Sequence, residues 1–244
     1  MTHMGVNPKQ IISFKYFFKF ITQRRIWKKL GGKIDANFVI LHDYQESGGQ
    51  TLGHYFNQDL LIASSVFQQN PKRHIDIGSR VDGFVAHVAS FREIEVFDIR
   101  SIEPTKHNNI KFVQADFMDD NINEKADSVS CLHALEHFGL GRYGDPINPD
   151  GFNKGVENIC NLVEQGGRLY LSFPISDQDL VYFNAHRTFN PMSIFSHHAI
   201  KSKFALERFD YVDDHGTLHI DLEPEDIDSK LEYGCGIYTF CKVK

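Results

Sequence analysis

Residues 135–151, LEHFGLGRYGDPINPDG, set Glu136, His137, Arg142, Tyr143 and Asp145 among four glycines and two prolines, with almost no apolar surface to bury. A second polar cluster, YFNAHRTFNP, carries Asn184, His186 and Arg187. An imidazole titrates near neutrality and can take a hydroxyl proton. A guanidinium pairs with phosphate or carboxylate, and glycines allow turns that other residues disfavour. Such a set suits a hydroxyl-rich or anionic acceptor, such as a sugar or sugar nucleotide, and suits a lipid poorly. His186 is the preferred general base, with His133 and His137 as competitors. Glu136, Arg142, Tyr143, Asp145, Asn184 and Arg187 are the candidate acceptor contacts.

A third set lies upstream in HIDIGSRVDGF: Asp76 in a short apolar strand, then Gly78 and Ser79 where the chain must turn. Asp98 ends the next strand, 22 positions after Asp76, the spacing at which an acidic residue meets ribose hydroxyls. Asp116 ends a third strand, within reach of an adenine amine, with Phe117 beside it to flank the ring. A dinucleotide site would need GxGxxG so that the pyrophosphate approaches the backbone. Arg80 and Asp82 stand where those glycines would be, and an aspartate beside a pyrophosphate is electrostatically wrong. The expected ligand is a nucleoside without phosphates, and S-adenosylmethionine fits. In one reading Arg80 pairs with its carboxylate and Asp82 with its ammonium; in the other the two form a local ion pair at the helix start.

The elements that position these groups follow from periodicity. RHIDIG, EIEVFDI, IKFVQAD, ADSVSCLHAL and GRLYLSFP read as strands. VDGFVAHVASF and a segment around residues 152–164 read as helices. Alternating strands and helices imply a parallel sheet covered on both faces. In such a sheet ligands bind beyond the carboxyl ends of the strands, which puts all three sets on one side. The tail breaks the rhythm, because FALERFDYVDD and YGCGIYTFCKVK are strand-like with only the acidic DLEPEDID between them. They are expected to pair as a hairpin with one strand antiparallel to the rest.

With these residues in hand, the chain over roughly 70–244 resembles the class I S-adenosylmethionine-dependent methyltransferases, through DIG, Asp98, Asp116, LEH after the fourth strand and QGGRLYLSFP. The resemblance implies a Rossmann-like α/β fold: a seven-stranded, mostly parallel sheet with an antiparallel last strand and helices on both faces. It departs in lacking the later glycines of the first turn. In that superfamily LEH often serves as a helix start, the bland alternative for Glu136 and His137. HIDIGSRVDGFVAHVASFREIEVFDIR together with LEHFGLGRYGDPINPDG looks like an uncharacterised bacterial family, a domain of unknown function associated with capsule and surface-polysaccharide synthesis. It implies a sugar O-methyltransferase. The alternatives are a nicotinamide-dependent oxidoreductase or epimerase, which the lost glycines disfavour, and a non-catalytic scaffold in glycan assembly, which the polar loops disfavour.

The bulk numbers bound these readings. A chain of 244 residues, 41% hydrophobic and 24% charged, can bury a core, and its net charge of -6 gives no reason to expect nucleic acid. Cys131, Cys160, Cys235 and Cys241 form no CxxC pair and read as reduced thiols in a cytoplasmic protein. No metal is expected, since Asp145, Asp150, Asp177 and Asp179 read as turn-formers before ligands. Residues 1–70 are expected as an N-terminal helical extension to a 71–244 domain, with NQDLLIASSVFQQN a helix leading to Pro71. The closer resemblance extends upstream to GHYFNQDLLIA, which implies that the segment before the first strand belongs with the fold. Within the extension, residues 11–30 form a basic helix on which Ile11, Phe14, Phe18 and Ile21 recur. Such a helix packs on the main domain or a second copy of the chain as a homodimer, or meets the inner face of the membrane peripherally.

Overall fold

The computed structural model describes residues 14–45, 48–49, 51–119, 123–227 and 231–244. Two compact units divide at Met1–Gln50 and Thr51–Lys244, twenty residues earlier than the boundary read from the sequence. The reason is helix α2 (His54–Gln69), whose Ile62, Ala63 and Val66 are buried in the core of the second unit.

In the first unit a 3-10 turn (Phe14–Tyr16) leads into helix α1 (Phe17–Lys29). Ile11 lies outside the described residues. Phe17 and Phe20 pair with ring centroids 6.4 Å apart, whereas Phe18, expected on the apolar stripe, is 77% exposed. Lys28 and Lys29 sit in the last turn, where the helix dipole favours cations. The Trp27 indole Nε1 donates to the Lys33 carbonyl (3.1 Å), folding the chain back beyond the helix end. Among the described residues no helix is long and apolar enough to cross a membrane.

The second unit is built on a sheet of strands β1 (His74–Ile77), β2 (Ile94–Asp98), β3 (Ile110–Gln114), β4 (Ala126–Leu132), β5 (Val163–Ile175), β8 (Phe204–Val212), β9 (Leu218–His219) and β10 (Gly234–Lys242). Their order is β3-β2-β1-β4-β5-β10-β8-β9. β1 to β5 run parallel, and β10 lies antiparallel between β5 and β8, as the hairpin reading of the tail requires. The two-residue β9 makes eight strands where seven were expected. A separate hairpin pairs β6 (Leu180–Tyr182) with β7 (His186–Thr188).

Strand alternation sorts the core into two layers. On one face Ile75, Ile77, Val129, Leu169, Leu171 and Phe173 meet helix α4 (Gly151–Leu162) through Val156, Ile159 and Cys160, and helix α5 (His198–Lys203) through Ala199 and Ile200. On the other, Ile94, Val96, Leu132, Tyr170 and Ile237 meet α2 and the segment of Phe84, Val85 and Val88. That segment was read as one helix. It is a π turn (Val81–Val85) running into helix α3 (Ala86–Ala89), kinked at Gly83 (φ -120, ψ -109). A Cβ at Gly83 would overlap the Asp59 carboxylate of α2, so the close approach of α2 sets the kink. The β2–β3 connection has no helix, since SIEPTKHNN carries no apolar stripe, and β3 is left half-exposed.

Candidate functional site

The strand order reverses between β1 and β4, the place where open α/β sheets bind ligands. A cleft lies there at the carboxyl ends of β1 to β4. It is lined by Gly78, Phe97, Asp98, Arg100, Asp116 and Phe117 from the ends of β1 to β3, and by His133, Ala134, His137, Tyr143 and Asp145 after β4. Two of the three sequence sets line this space, and the third braces the β4 loop from outside it.

The first turn is folded inward on itself. Asp76 is fully buried and accepts hydrogen bonds from Ser79 N (3.1 Å), Ser79 Oγ (2.6 Å) and Ser130 Oγ (2.5 Å). Burial pushes its carboxyl up to about 7 against those bonds. Ser79 Oγ also accepts from Leu132 N (3.1 Å), so Asp76 and Ser79 tie β1 to β4 rather than face the cleft. Arg80 pairs with Asp82 at 3.0 Å and lies over the Tyr55 ring (4.8 Å), the local ion pair of the second reading. Gly78 alone of this set lines the cleft. It stands at φ 69, and a Cβ there would come 2.8 Å from the Ala134 Cβ. A side chain would be strained and would close the floor.

Asp98 and Asp116 reach the cleft. Asp98 is paired with Arg100, two positions on, whose N, Nε and Nη2 lie 2.8, 2.9 and 2.7 Å from its oxygens, while the carboxylate still borders the cleft. The same guanidinium covers the Tyr143 ring at 4.3 Å, joining the β2 end to the loop after β4. Asp116 accepts from Met118 N (2.8 Å). Phe117 is buried edge-to-face on Phe97 (5.9 Å), an apolar wall at the end of β3.

The loop after β4 answers what residues 135–151 are for. Asp145 is its organiser, its carboxylate accepting from Gly139 N (2.9 Å), Gly141 N (3.0 Å) and Tyr143 N (3.1 Å). This folds the glycine-rich stretch into a fixed wall carrying His137 and Tyr143. His137 Nδ1 faces the Ala185 carbonyl at 2.6 Å, so Nδ1 is the donor and Nε2 keeps its lone pair, 3.6 Å from Glu136 Oε1. Burial lowers the His137 pKa, leaving it neutral and able to accept a proton. Arg142 also donates to Ala185 O (3.0 Å). Asp150 and Asp179 accept local bonds from Asn153 and from Asn190 and Ser193, as turn-formers do.

His133 stands at φ 50, where a residue with a side chain is strained. Its Nδ1 lies 2.9 Å from Glu136 Oε1, while His133 Nε2 and Glu136 Oε2 are buried without a hydrogen-bond partner. Burial disfavours a proton on His133, but Cys235 and Glu136 outweigh it and hold the pKa well above the ordinary value.

The second cluster contributes less to the cleft. Arg187 is buried and donates to the carbonyls of Glu136 (3.2 Å) and Phe138 (2.8 Å), bracing the β4 loop from β7. Asn184 occupies the exposed hairpin tip at φ 60. His186 packs on Tyr182 (5.1 Å) and Tyr233 (5.2 Å), outside the cleft lining. Sequence reasoning missed Arg100, Tyr55, His54, Tyr233 and Cys235, which come from the start of α2, the β2 end and the last strand. Only Arg100, beside Asp98, offered a local signal.

The fold matches solved methyltransferase structures at low identity. N-methyltransferase NodS from Bradyrhizobium japonicum WM9, in complex with S-adenosyl-L-homocysteine, is 10% identical with a TM-score of 0.52, covering 79% of this chain and 89% of that one. The methyltransferase domain of bacterial CtHen1 is 13% identical with a TM-score of 0.51, covering 77% and 99%. A S-adenosylmethionine-dependent methyltransferase from Clostridium acetobutylicum ATCC 824 is 11% identical with a TM-score of 0.50, covering 92% and 99%. These establish the Rossmann-like methyltransferase fold. No curated protein matches the chain. A family model does match, over residues 88–231, which hold β2 to β8, the β4 loop and the β6–β7 hairpin, and the chain therefore belongs to the family described as Caenorhabditis protein of unknown function, DUF268.

Proposed function

We propose that the chain is an S-adenosylmethionine-dependent O-methyltransferase whose acceptor is a sugar or sugar nucleotide. The observation that carries the cofactor is the cleft itself, with a glycine floor that a Cβ would fill and acids at the ends of β2 and β3. Asp98 would hold the ribose hydroxyls, Asp116 and the Phe97–Phe117 wall the adenine, and Gly78 the backbone turn beneath the amino-acid end. When bound, the cofactor supplies an electrophilic methyl group. Structurally similar proteins are named for N-methyl and carbon methyl transfer, so the fold does not choose the acceptor atom.

The acceptor reading rests on the loop after β4. In this reading His137 Nε2, free to accept because Nδ1 is held by Ala185 O, takes the hydroxyl proton, the role first given to His186. Tyr143, and further out Tyr55, Tyr233 and Tyr182, offer ring faces to a sugar, and Arg142 a cation to an attached phosphate. A role in surface-polysaccharide synthesis rests on the resemblance of the sequence motifs alone.

Calorimetric titration with S-adenosylmethionine, S-adenosylhomocysteine and NAD tests the cofactor. Micromolar binding of the first two and not of NAD is expected. Binding of NAD alone would replace this reading with the oxidoreductase, and binding of none with the scaffold. Against a panel of sugar acceptors, His137→Gln should cut turnover about 10²–10⁴-fold while leaving cofactor affinity unchanged.

A further inference from the structure

One cluster beside the cleft is not needed for methyl transfer. His54 at the start of α2, His133 just past β4 and Cys235 in β10 each present one ligand-type atom, and these atoms all lie within 4.8 Å of one another. Around tetrahedral zinc, N and S ligands sit roughly 3.4–3.7 Å apart, so closing the set needs shifts of about 1 Å.

We propose that His54, His133 and Cys235 bind a zinc-type divalent metal ion, with Glu136 as the positioning residue behind His133. Three features support it. The His133 side chain is 5% exposed, yet its Nε2 has no hydrogen-bond partner, a costly state for a buried ring nitrogen. Its other nitrogen lies 2.9 Å from the Glu136 carboxylate, the second contact that metal-bound histidines almost always make. Third, Cys235 Sγ makes long contacts to oxygen, 3.7 Å to Gln58 Oε1 and 3.8 Å to Gly236 O, and otherwise faces the His133 ring, the neighbour with which it would share the ion. The strained φ of 50 at His133 is what carries its ring to this place.

The donor set names the ion class. Two imidazoles and a thiolate are intermediate-to-soft ligands that suit zinc, whereas magnesium and calcium need oxygens. On binding, the Cys235 sulfur gives its proton to solvent, and any proton on His133 Nε2 leaves with it, so that a thiolate and two neutral imidazoles face the ion. Three protein ligands leave a coordination position, as in catalytic rather than structural zinc sites. Because His133 also lines the cleft, the ion would stand at its edge.

The test uses the full chain, reduced and freed of metal with a chelator. It is titrated with Zn²⁺ against a chromophoric chelator and, separately, with Co²⁺ followed by absorption. One ion per chain is expected, with a thiolate-to-cobalt charge-transfer band and the visible bands of four-coordinate cobalt. Cys235→Ser should abolish the charge-transfer band, His54→Ala should weaken Zn²⁺ binding by at least about tenfold, and Glu136→Gln by about 10–100-fold. Circular dichroism of the metal-free variants separates ligand loss from unfolding. Absence of stoichiometric binding by the wild-type chain overturns the site whatever the variants do, as does undiminished binding by folded Cys235→Ser and His54→Ala. None of these readouts requires methyl transfer, so the site and the proposed function stand or fall apart.

Discussion

The turn after β1 and the loop after β4 both border the cleft and are built on opposite principles. In the first, polar groups are satisfied by one another: Asp76 by Ser79 and Ser130, and Arg80 by Asp82. In the second, His133 Nε2 and Glu136 Oε2 are buried without partners, and His137 Nε2 keeps a lone pair. Polar atoms left unpaired inside a protein are costly, so they persist where a ligand or reaction uses them. The first turn is thus a bracket, and the β4 loop is where chemistry can occur.

The largest expected effect tests the bracket. Burial raises Asp76 to about 7, so the folded chain keeps a proton that the unfolded chain loses near pH 4. Its contribution is full below that value and is lost as pH rises to about 7, worth roughly 4 kcal/mol over the window. Urea unfolding of wild type and Asp76→Asn should therefore show a stability difference that shifts by about that amount between pH 4 and pH 7. Asp59, raised to about 6 by burial, also acts on Asp76, so the comparison is repeated in an Asp59→Asn background, whereas His74, lowered to about 3 by burial, titrates in both proteins. A difference that is flat with pH would mean that Asp76 is ionised in the fold, and the bracket reading would fail.

A somewhat smaller effect tests the loop. Asp145→Ala removes the acceptor for three backbone N–H groups and should lower stability by about 3 kcal/mol, at about 1 kcal/mol for each bond. The loss should be larger for turnover than for cofactor affinity, because the loop carries His137 and Tyr143. A cost below about 1 kcal/mol would show that the glycines hold the loop without Asp145.

The smallest effect sharpens the contrast. Arg80→Ala breaks an exposed ion pair worth no more than about 1 kcal/mol, and S-adenosylhomocysteine affinity by calorimetry should be unchanged. A tenfold loss would return Arg80 to the ligand and make the first turn part of the site.

Sequence alone determined the frame. Period-two apolar runs can bury only as strands, helical stripes between them force parallel crossovers, and two final strands without a helix must fold back, which put β10 antiparallel beside β5 and β8. The same pattern placed Gly78, Asp98, Asp116 and the β4 loop at the carboxyl ends of strands. The tertiary structure decided where those side chains point. Asp76 turns to a serine on β4, Arg187 is drawn beneath the β4 loop by two carbonyls, and Asp98 meets Arg100 before any ligand. Helix α2 joined the sheet unit because its apolar side matched a surface assembled from five strands. His54, His133 and Cys235 meet only because α2, β4 and β10 pack together. Local spacing reports which face of an element a residue occupies, whereas its partners come from strands and helices distant in the chain, and those partners fix burial, proton affinity and chemistry.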